Sequence, residues 1–488
     1  MNAASTWISR NVDRLRSADS KAASKNKDKD GASAASPKPA AERSTHERLQ
    51  ATLRRSGEAL SPRVLRRLLT DLQEVVAPRV SEIEGGRRAQ AIAAWYAEAT
   101  PEERRDLWLL MCEQFAPDAT RFKSAQQRYE AAAGTDDAPQ AEAHLRRAMV
   151  SPRTRLLQRF AVFPEGMRFL VDLRAELLPL LKSDKRLLPL DAELEQLFST
   201  WFDVAFLELR RLSWDSPASL IEKLIKYEAV HDIRSWADLK NRLDSDRRCY
   251  GFFHPRLPNE PLIFVEVALV NEISSSITPL LDEAAEAADI QRATTAIFYS
   301  ISSTQTGLRG VSFGDSLIKH VAETLTQEFP RLRTFATLSP IPGFRSWLSK
   351  NCAAQLEQLD EKRLAELGRA VGFEPPQAAH VLAAADKALE LPPKSPVRQL
   401  LMQCAARYLG RELHDGKPVD PVARFHLGNG ARVERLNWAG DPSAKGLKQS
   451  FGLMVNYLYD LKRIDKHHGL LAQGRVPVSG DIDSLCRD

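Results

Sequence analysis

Residues 309–315, Arg309, Gly310, Val311, Ser312, Phe313, Gly314 and Asp315, form a glycine-rich turn between an apolar strand and an amphipathic segment with helical spacing. Amides exposed at a helix start attract an anion, because the N–H groups and the helix dipole both present positive potential there, and Arg309 adds a full charge. The ligand expected on such a turn carries a pyrophosphate, as a nucleotide-like cofactor or coenzyme A does. Further on, Ser339 directly precedes Pro340, with Pro342 two residues later. Those rings fix φ and remove backbone donors, which holds the serine hydroxyl in one direction. His426, in the segment RFHLGNGA, carries an imidazole that titrates near neutral pH and can donate a proton to carbon or oxygen. Asn456, Tyr457 and Tyr459 follow in LMVNYLYDL. Each of these residues also has an ordinary structural role open to it: a plain strand-to-helix turn, a turn serine, a strand-end histidine, and tyrosines on an amphipathic helix.

The elements that must position these groups fall into two halves. From 46 to 198 the pattern is helical. Ser61-Pro62 gives an N-cap and a first-turn proline ahead of Leu65, Leu68, Leu69, Leu72 and Val76, and Thr100-Pro101-Glu102-Glu103 gives a capping box. The polar, Ala/Asp-rich stretch 124–140 reads as a loop within that half. From about Phe206 short β-type runs begin, at 206–212, 249–253, 262–270, 296–302, 333–338 and 422–427, with helical segments between them. His426 is expected on the last of these runs, and Tyr457 and Tyr459 on a helix. Residues 355–411 are helical again, broken at Pro375-Pro376 and Pro392-Pro393, and read as an insertion between strands. The fold class expected is α+β: an all-helical N-terminal domain, then a mixed α/β domain with a helical insertion.

Composition narrows the function. The 488 residues are 43% hydrophobic and 27% charged, as in a soluble globular protein. The net charge is +5, and residues 1–50 carry 10 Lys and Arg against 6 Asp and Glu, so the basic excess sits in the tail and does not announce a nucleic-acid surface. Residues 1–45 are expected to form a disordered leader, being poor in large apolar side chains. Five cysteines without a CxxC spacing suggest neither a zinc site nor a disulfide framework, and fit a reducing cytoplasm. No apolar run is long enough to span a membrane. Trp201, Trp214 and Trp347 are expected to pack in the core, and Arg247-Arg248 to lie on a solvated face or steer phosphates together with His254.

The turn R-G-V-S-F-G-D-S-L is similar to the acyl-CoA pyrophosphate loop of the GNAT acetyltransferase fold, with Arg309, Gly314 and Leu317 in register and Ser312 where that pattern has its first glycine. More widely, YEAVH (227–231), DRRCYGFFHP (246–255), EPLIFVEVALVNEISSSI (260–277), YSISSTQTGLRGVSFG (299–314), LSPIPGFRSWL (338–348), RFHLGNGA (424–431) and SFGLMVNYLYDL (450–461) resemble, in order, the malonyl-CoA decarboxylase family. The resemblance implies a helical oligomerisation domain over 46–198 and an acetyltransferase-like catalytic domain over 199–488. It further implies a homotetramer acting on malonyl-CoA, which needs no metal or organic cofactor because the thioester itself takes up the electrons of the broken C–C bond. It assigns Ser339, His426 and Tyr459 as catalytic, with the 309–315 loop binding coenzyme A. An acidic residue can stand at the position of Ser312 in the family pattern and steer the histidine. Here either a hydroxyl is sufficient or another carboxylate, Asp315 being nearest in sequence, takes that role. An N-acetyltransferase of the same fold and a non-catalytic acyl-CoA-binding protein remain the alternatives.

Overall fold

The computed structural model describes residues 59–314 and 316–487, so the expected leader over 1–45 and Asp315 both lie outside the described residues. The helical half opens with Pro62–Val76, started by Ser61, whose side chain accepts from Val64 N–H, and by Pro62 in the first turn. It buries Leu65, Leu68, Leu69, Leu72 and Val75. Glu82–Glu98 and Pro101–Gln114 follow, the latter with both bonds of the Thr100/Glu103 capping box in place. The stretch read as a loop at 124–140 is instead two helices, Ala119–Ala131 and Ala138–Met149, joined by a short turn at 132–137. Alanine and long polar side chains are good helix formers, and burial of Ala125, Ala141, Leu145 and Ala148 lets the two pack without a bulky apolar stripe. Pro152–Phe160, Gly166–Leu177 and Leu188–Trp201 complete this half.

The second half is built on a sheet of eight strands: β1 (Glu208–Leu212), β2 (Arg247–His254), β3 (Leu257–Val270), β4 (Thr295–Ser303), β5 (Thr334–Thr337), β6 (Ser339–Pro340), β9 (Arg432–Asn437) and β10 (Met454–Leu458). β7 (Leu413–His414) and β8 (Lys417–Pro418) form a separate small ribbon. The large sheet runs β1-β2-β3-β4-β5-β10, where β10 also pairs with β6 and, on its other edge, with β9. Helices Ala218–Tyr227 and Trp236–Arg242 cover β1–β3 through Ile221, Leu224, Leu239, Cys249 and Phe264. Each such fully buried large apolar side chain contributes about 1.5–3 kcal/mol. A helical region followed by a mixed α/β sheet domain is thus the observed architecture. Phe344–Leu356, Glu361–Val371, Ala378–Ala385 and Pro396–Gly410 supply the helical insertion.

Two element assignments reverse. The run 422–427 is not a strand but part of the helix Pro421–Gly428, capped by Asp420, whose side chain accepts from Val422 and Ala423 N–H. Asp-Pro is an N-cap followed by a first-turn proline, and that signal outweighs the apolar run behind it. The segment with Tyr457 is not a helix but β10, buried on both faces between its neighbours. A fully buried strand shows no alternation, so periodicity could not distinguish it from a helix. Trp214 is also not in the core: it is 53% exposed and meets the 63% exposed Trp236 edge to face.

Candidate active site

β4 and β5 are parallel, and they stay paired only as far as Phe298 and Thr337, with Leu338 N–H donating to Phe298 C=O at 3.0 Å. Past that point β4 continues along β3 to Ser303 while β6 keeps to β10. The gap between them opens into a cavity of about 500 Å³, lined by Phe298, Tyr299 and Ile301 of β4, by Leu308, Arg309, Gly310, Val311 and Phe313, and by Ser339, Pro340, Phe425 and His426. Its walls are largely apolar, with a few polar groups among them, the usual make-up of a small-molecule site.

Ser339 and His426 stand 87 positions apart and meet here. Ser339 Oγ lies 3.1 Å from His426 Nε2 and donates to Thr337 Oγ1 at 2.8 Å. Thr337 Oγ1 also accepts from Tyr457 N–H at 3.1 Å. On the far side of the ring, His426 Nδ1 is 2.7 Å from the Tyr459 hydroxyl. With the serine proton on Thr337, Nε2 must donate to Oγ and Nδ1 must accept from Tyr459 O–H, so one tautomer satisfies the whole chain. The ring of Tyr457 stacks on the imidazole, centroids 4.6 Å apart and planes 27° from parallel. Ser339, His426 and Tyr459 are all buried.

Burial lowers the His426 pKa to about 3, which corrects the expectation of a ring poised near neutrality in the free site. Among the described residues no carboxylate is bonded to this ring; the orienting partner is the neutral Tyr459 hydroxyl, so Ser312 is not replaced by a nearby acid within them. Burial also pushes the Tyr459 phenol well above its ordinary range, which keeps it a donor.

The 309–314 turn joins β4 to the helix Leu317–Glu328. Gly310 and Gly314 have φ of +82° and +86°, conformations that only glycine adopts without strain. Arg309 and Val311 N–H are already bonded within the turn, and Ser312 N–H reaches Ser199 Oγ at 3.4 Å. Among the described residues the Gly310 and Phe313 amides have no hydrogen-bond acceptor, and the Arg309 side chain is exposed. Ser312 and Gly314 lie off the main cavity, and Gly314 lines a neighbouring groove with Asp203 and Lys319. The helical half braces this turn. Arg174, 1% exposed and paired with Asp191 at 2.8 Å, donates to Gly307 C=O at 2.8 Å and Arg309 C=O at 2.9 Å.

Other candidates separate from the site. Arg247 and Arg248 are buried, bonded to Asp246 and Glu328 and to backbone carbonyls, so they neither line a solvated face nor reach toward a ligand. His254 packs edge-on against Phe202. Asn456 is structural, donating to Ser274 and Thr337 C=O. Asn429 donates to Phe425 C=O at the end of the His426 helix. Residues that motif reading missed are Thr337 and Arg174; Tyr457 was a candidate, but its place stacked on the imidazole was not foreseen. Thr337 had a faint signal, since residues two apart on a strand share a face with Ser339. Among the described residues no cluster of His, Cys, Asp and Glu has the makings of a metal site, and no helix is long and apolar enough to cross a membrane.

The comparisons with known proteins converge on one family. The family model of the malonyl-CoA decarboxylase C-terminal domain matches residues 205–488, and that of the N-terminal domain matches 115–202. Malonyl-CoA decarboxylase, mitochondrial, of Rattus norvegicus is 38% identical over 71% of this chain and 73% of its own length. The protein of the same name from Anser anser anser is 39% identical over 65% of this chain and 66% of its own. Among solved structures, malonyl-CoA decarboxylase from Cupriavidus metallidurans is 43% identical, with a TM-score of 0.71 over 87% of this chain and all of that one. That from Rhodopseudomonas palustris is 39% identical, with a TM-score of 0.72 over 86% of this chain and 99% of that one. The chain belongs to the malonyl-CoA decarboxylase family.

Proposed function

We propose that this protein decarboxylates malonyl-CoA to acetyl-CoA and carbon dioxide, with Ser339 and His426 as the reacting pair and Tyr459 holding the imidazole. The observation that carries the reading is the 3.1 Å contact between Ser339 Oγ and His426 Nε2 in the wall of a cavity that Arg309, Gly310, Val311 and Phe313 also line. Coenzyme A would lie along the apolar walls, its pyrophosphate against Arg309 and the Gly310 and Phe313 amides, its thioester at the serine. The Ser339 hydroxyl turns from Thr337 to the thioester oxygen or the malonyl carboxylate. The C–C bond to the carboxylate breaks, its electron pair enters the thioester as an enolate, and carbon dioxide leaves.

The enolate carbon must then gain a proton. An imidazole neutral in the free site becomes a usable acid once the malonyl carboxylate stands beside it, because a nearby negative charge opposes the effect of burial. The face of Tyr457 favours the same cation. His426 therefore takes a proton from solvent as substrate binds and passes it to carbon, so each turnover consumes one proton. The thioester serves as electron sink, which leaves no step that requires a metal or organic cofactor. By family resemblance the working form is a homotetramer.

Purified protein incubated with malonyl-CoA should yield acetyl-CoA and carbon dioxide in equal amounts. Failure to consume malonyl-CoA, with transfer of an acetyl group from acetyl-CoA to an amine, would overturn the proposal in favour of an acetyltransferase.

A further inference from the structure

We propose that Asp420 is a positioning residue that ties the helix bearing His426 to the loop bearing Ser339; the proposal rests on the reading of that pair as the reacting groups. Asp420 is 1% exposed and uses its two oxygens in different directions. Oδ1 accepts from Val422 N–H at 2.9 Å and Ala423 N–H at 3.0 Å and so caps the helix Pro421–Gly428. Oδ2 accepts from Gly343 N–H at 3.4 Å and from the Tyr408 hydroxyl at 3.3 Å. Gly343 ends the Ser-Pro-Ile-Pro-Gly turn that begins at Ser339. One carboxylate thus bonds both segments whose functional atoms meet at 3.1 Å.

A helix cap alone requires only one side-chain oxygen. The second oxygen, and the residues shaped around it, point to another purpose. A Cβ at Gly343 would lie 2.2 Å from the Tyr408 hydroxyl oxygen and 3.4 Å from Asp420 Oδ2, so glycine is what lets the turn approach. Tyr408 is itself fixed by the rings of Phe344 and Trp347, at 6.0 and 5.3 Å between centroids, from the helix that follows the turn. Burial raises the Asp420 pKa, while the N–H and O–H donors around it favour the ionised form. Without the Oδ2 bonds, the turn and the His426 helix lose their direct tie, and a shift of about 1 Å between reacting groups can lower a rate about 10²-fold.

The test uses the full chain with Asp420→Asn, Asp420→Ser and Tyr408→Phe, and Ser339→Ala as control. Asparagine and serine both serve as helix caps, but the first presents an amide nitrogen to Gly343 N–H and the second is too short to reach it. Three quantities are read: kcat and KM for malonyl-CoA, the melting temperature, and the imidazole N–H signals of His426 by nuclear magnetic resonance. Expected is a fall in kcat of roughly 10- to 10²-fold in both Asp420 variants, a smaller fall in Tyr408→Phe, KM within about twofold, and a displaced Nε2–H resonance. Unchanged kcat in both Asp420 variants beside an inactive Ser339→Ala would overturn the tie alone. So would a kcat that falls only with the folded fraction while the His426 signal stays in place. A fully active Ser339→Ala would remove the reacting pair itself, and the positioning role with it. Should Asp420→Ser fail to fold, Asp420→Asn and Tyr408→Phe decide the matter by the same readings.

Discussion

Burial that holds an imidazole neutral makes proton transfer depend on the ligand. The free His426 ring has a pKa lowered to about 3, so near pH 7 it carries no charge. A ligand carboxylate beside it raises that pKa, and between the free and bound values the complex holds more protons than the separate species. A stable malonyl-CoA analogue that keeps its carboxylate should therefore bind with proton uptake, read by calorimetry in buffers of different ionisation heat. Coenzyme A, lacking the carboxylate, should bind with none, and equal uptake for both would refute the mechanism. His426→Asn should lower turnover about 10²- to 10⁴-fold with coenzyme A affinity nearly unchanged, and Ser339→Ala should do likewise. Because both act on one transition state, the double variant should lose less than the product of the single losses. Two active single variants would remove both residues from the chemistry. Ser339, His426 and Tyr459 could be singled out as candidates because each sits in a distinctive local motif, and the structure brings the three side chains together. Thr337 and Asp420 were not, since their importance lies in bonds to residues far away in sequence: Asp420 reaches Gly343 across 77 positions.

Among the elements, the 309–314 turn was legible from its glycines, and the structure adds what holds it. Gly310 has φ of +82° with open space around a built Cβ, so a β-branched side chain there meets backbone strain and no clash. Gly310→Val should leave the fold intact while weakening coenzyme A binding, measured by titration; unaltered affinity would place the phosphates elsewhere. The brace beneath the turn gave no sequence signal, because an arginine in an amphipathic helix looks like a surface residue until its burial is known. Arg174→Leu strands the Gly307 and Arg309 carbonyls and leaves Asp191 without its partner. Breaking such a buried pair typically costs about 3–5 kcal/mol. The variant should melt earlier and bind coenzyme A less tightly, and a wild-type melting curve would show that the brace is dispensable. Element type failed to be legible where burial erased the pattern, at β10, and where an apolar run outweighed the Asp420-Pro421 start signal.

For the molecule as a whole, the two halves are coupled through the site. The helical half sends Arg174, Ser199 and Arg168 to the segment that follows β4, with Arg168 bonded to Gln305 at 2.6 Å, so the 309–314 turn rests on helices outside the sheet. The division into helical and mixed halves was readable from the change in periodicity near Phe206, but this dependence was not, since no local pattern encodes it. Large apolar side chains remain exposed on both halves: Ile83 and Val150 on the first, Phe206, Trp214 and Trp236 on the second. Scattered exposure of this kind is ordinary in a monomer, whereas paired exposed tryptophans are less so, and self-association would remove such surface from water. The homotetramer implied by family resemblance should appear in light scattering at micromolar concentration as four times the 54.6 kDa chain mass. A particle of 54.6 kDa under those conditions would refute assembly, and the bracing of the turn by the helical half would then be that half's contribution to the site within one chain.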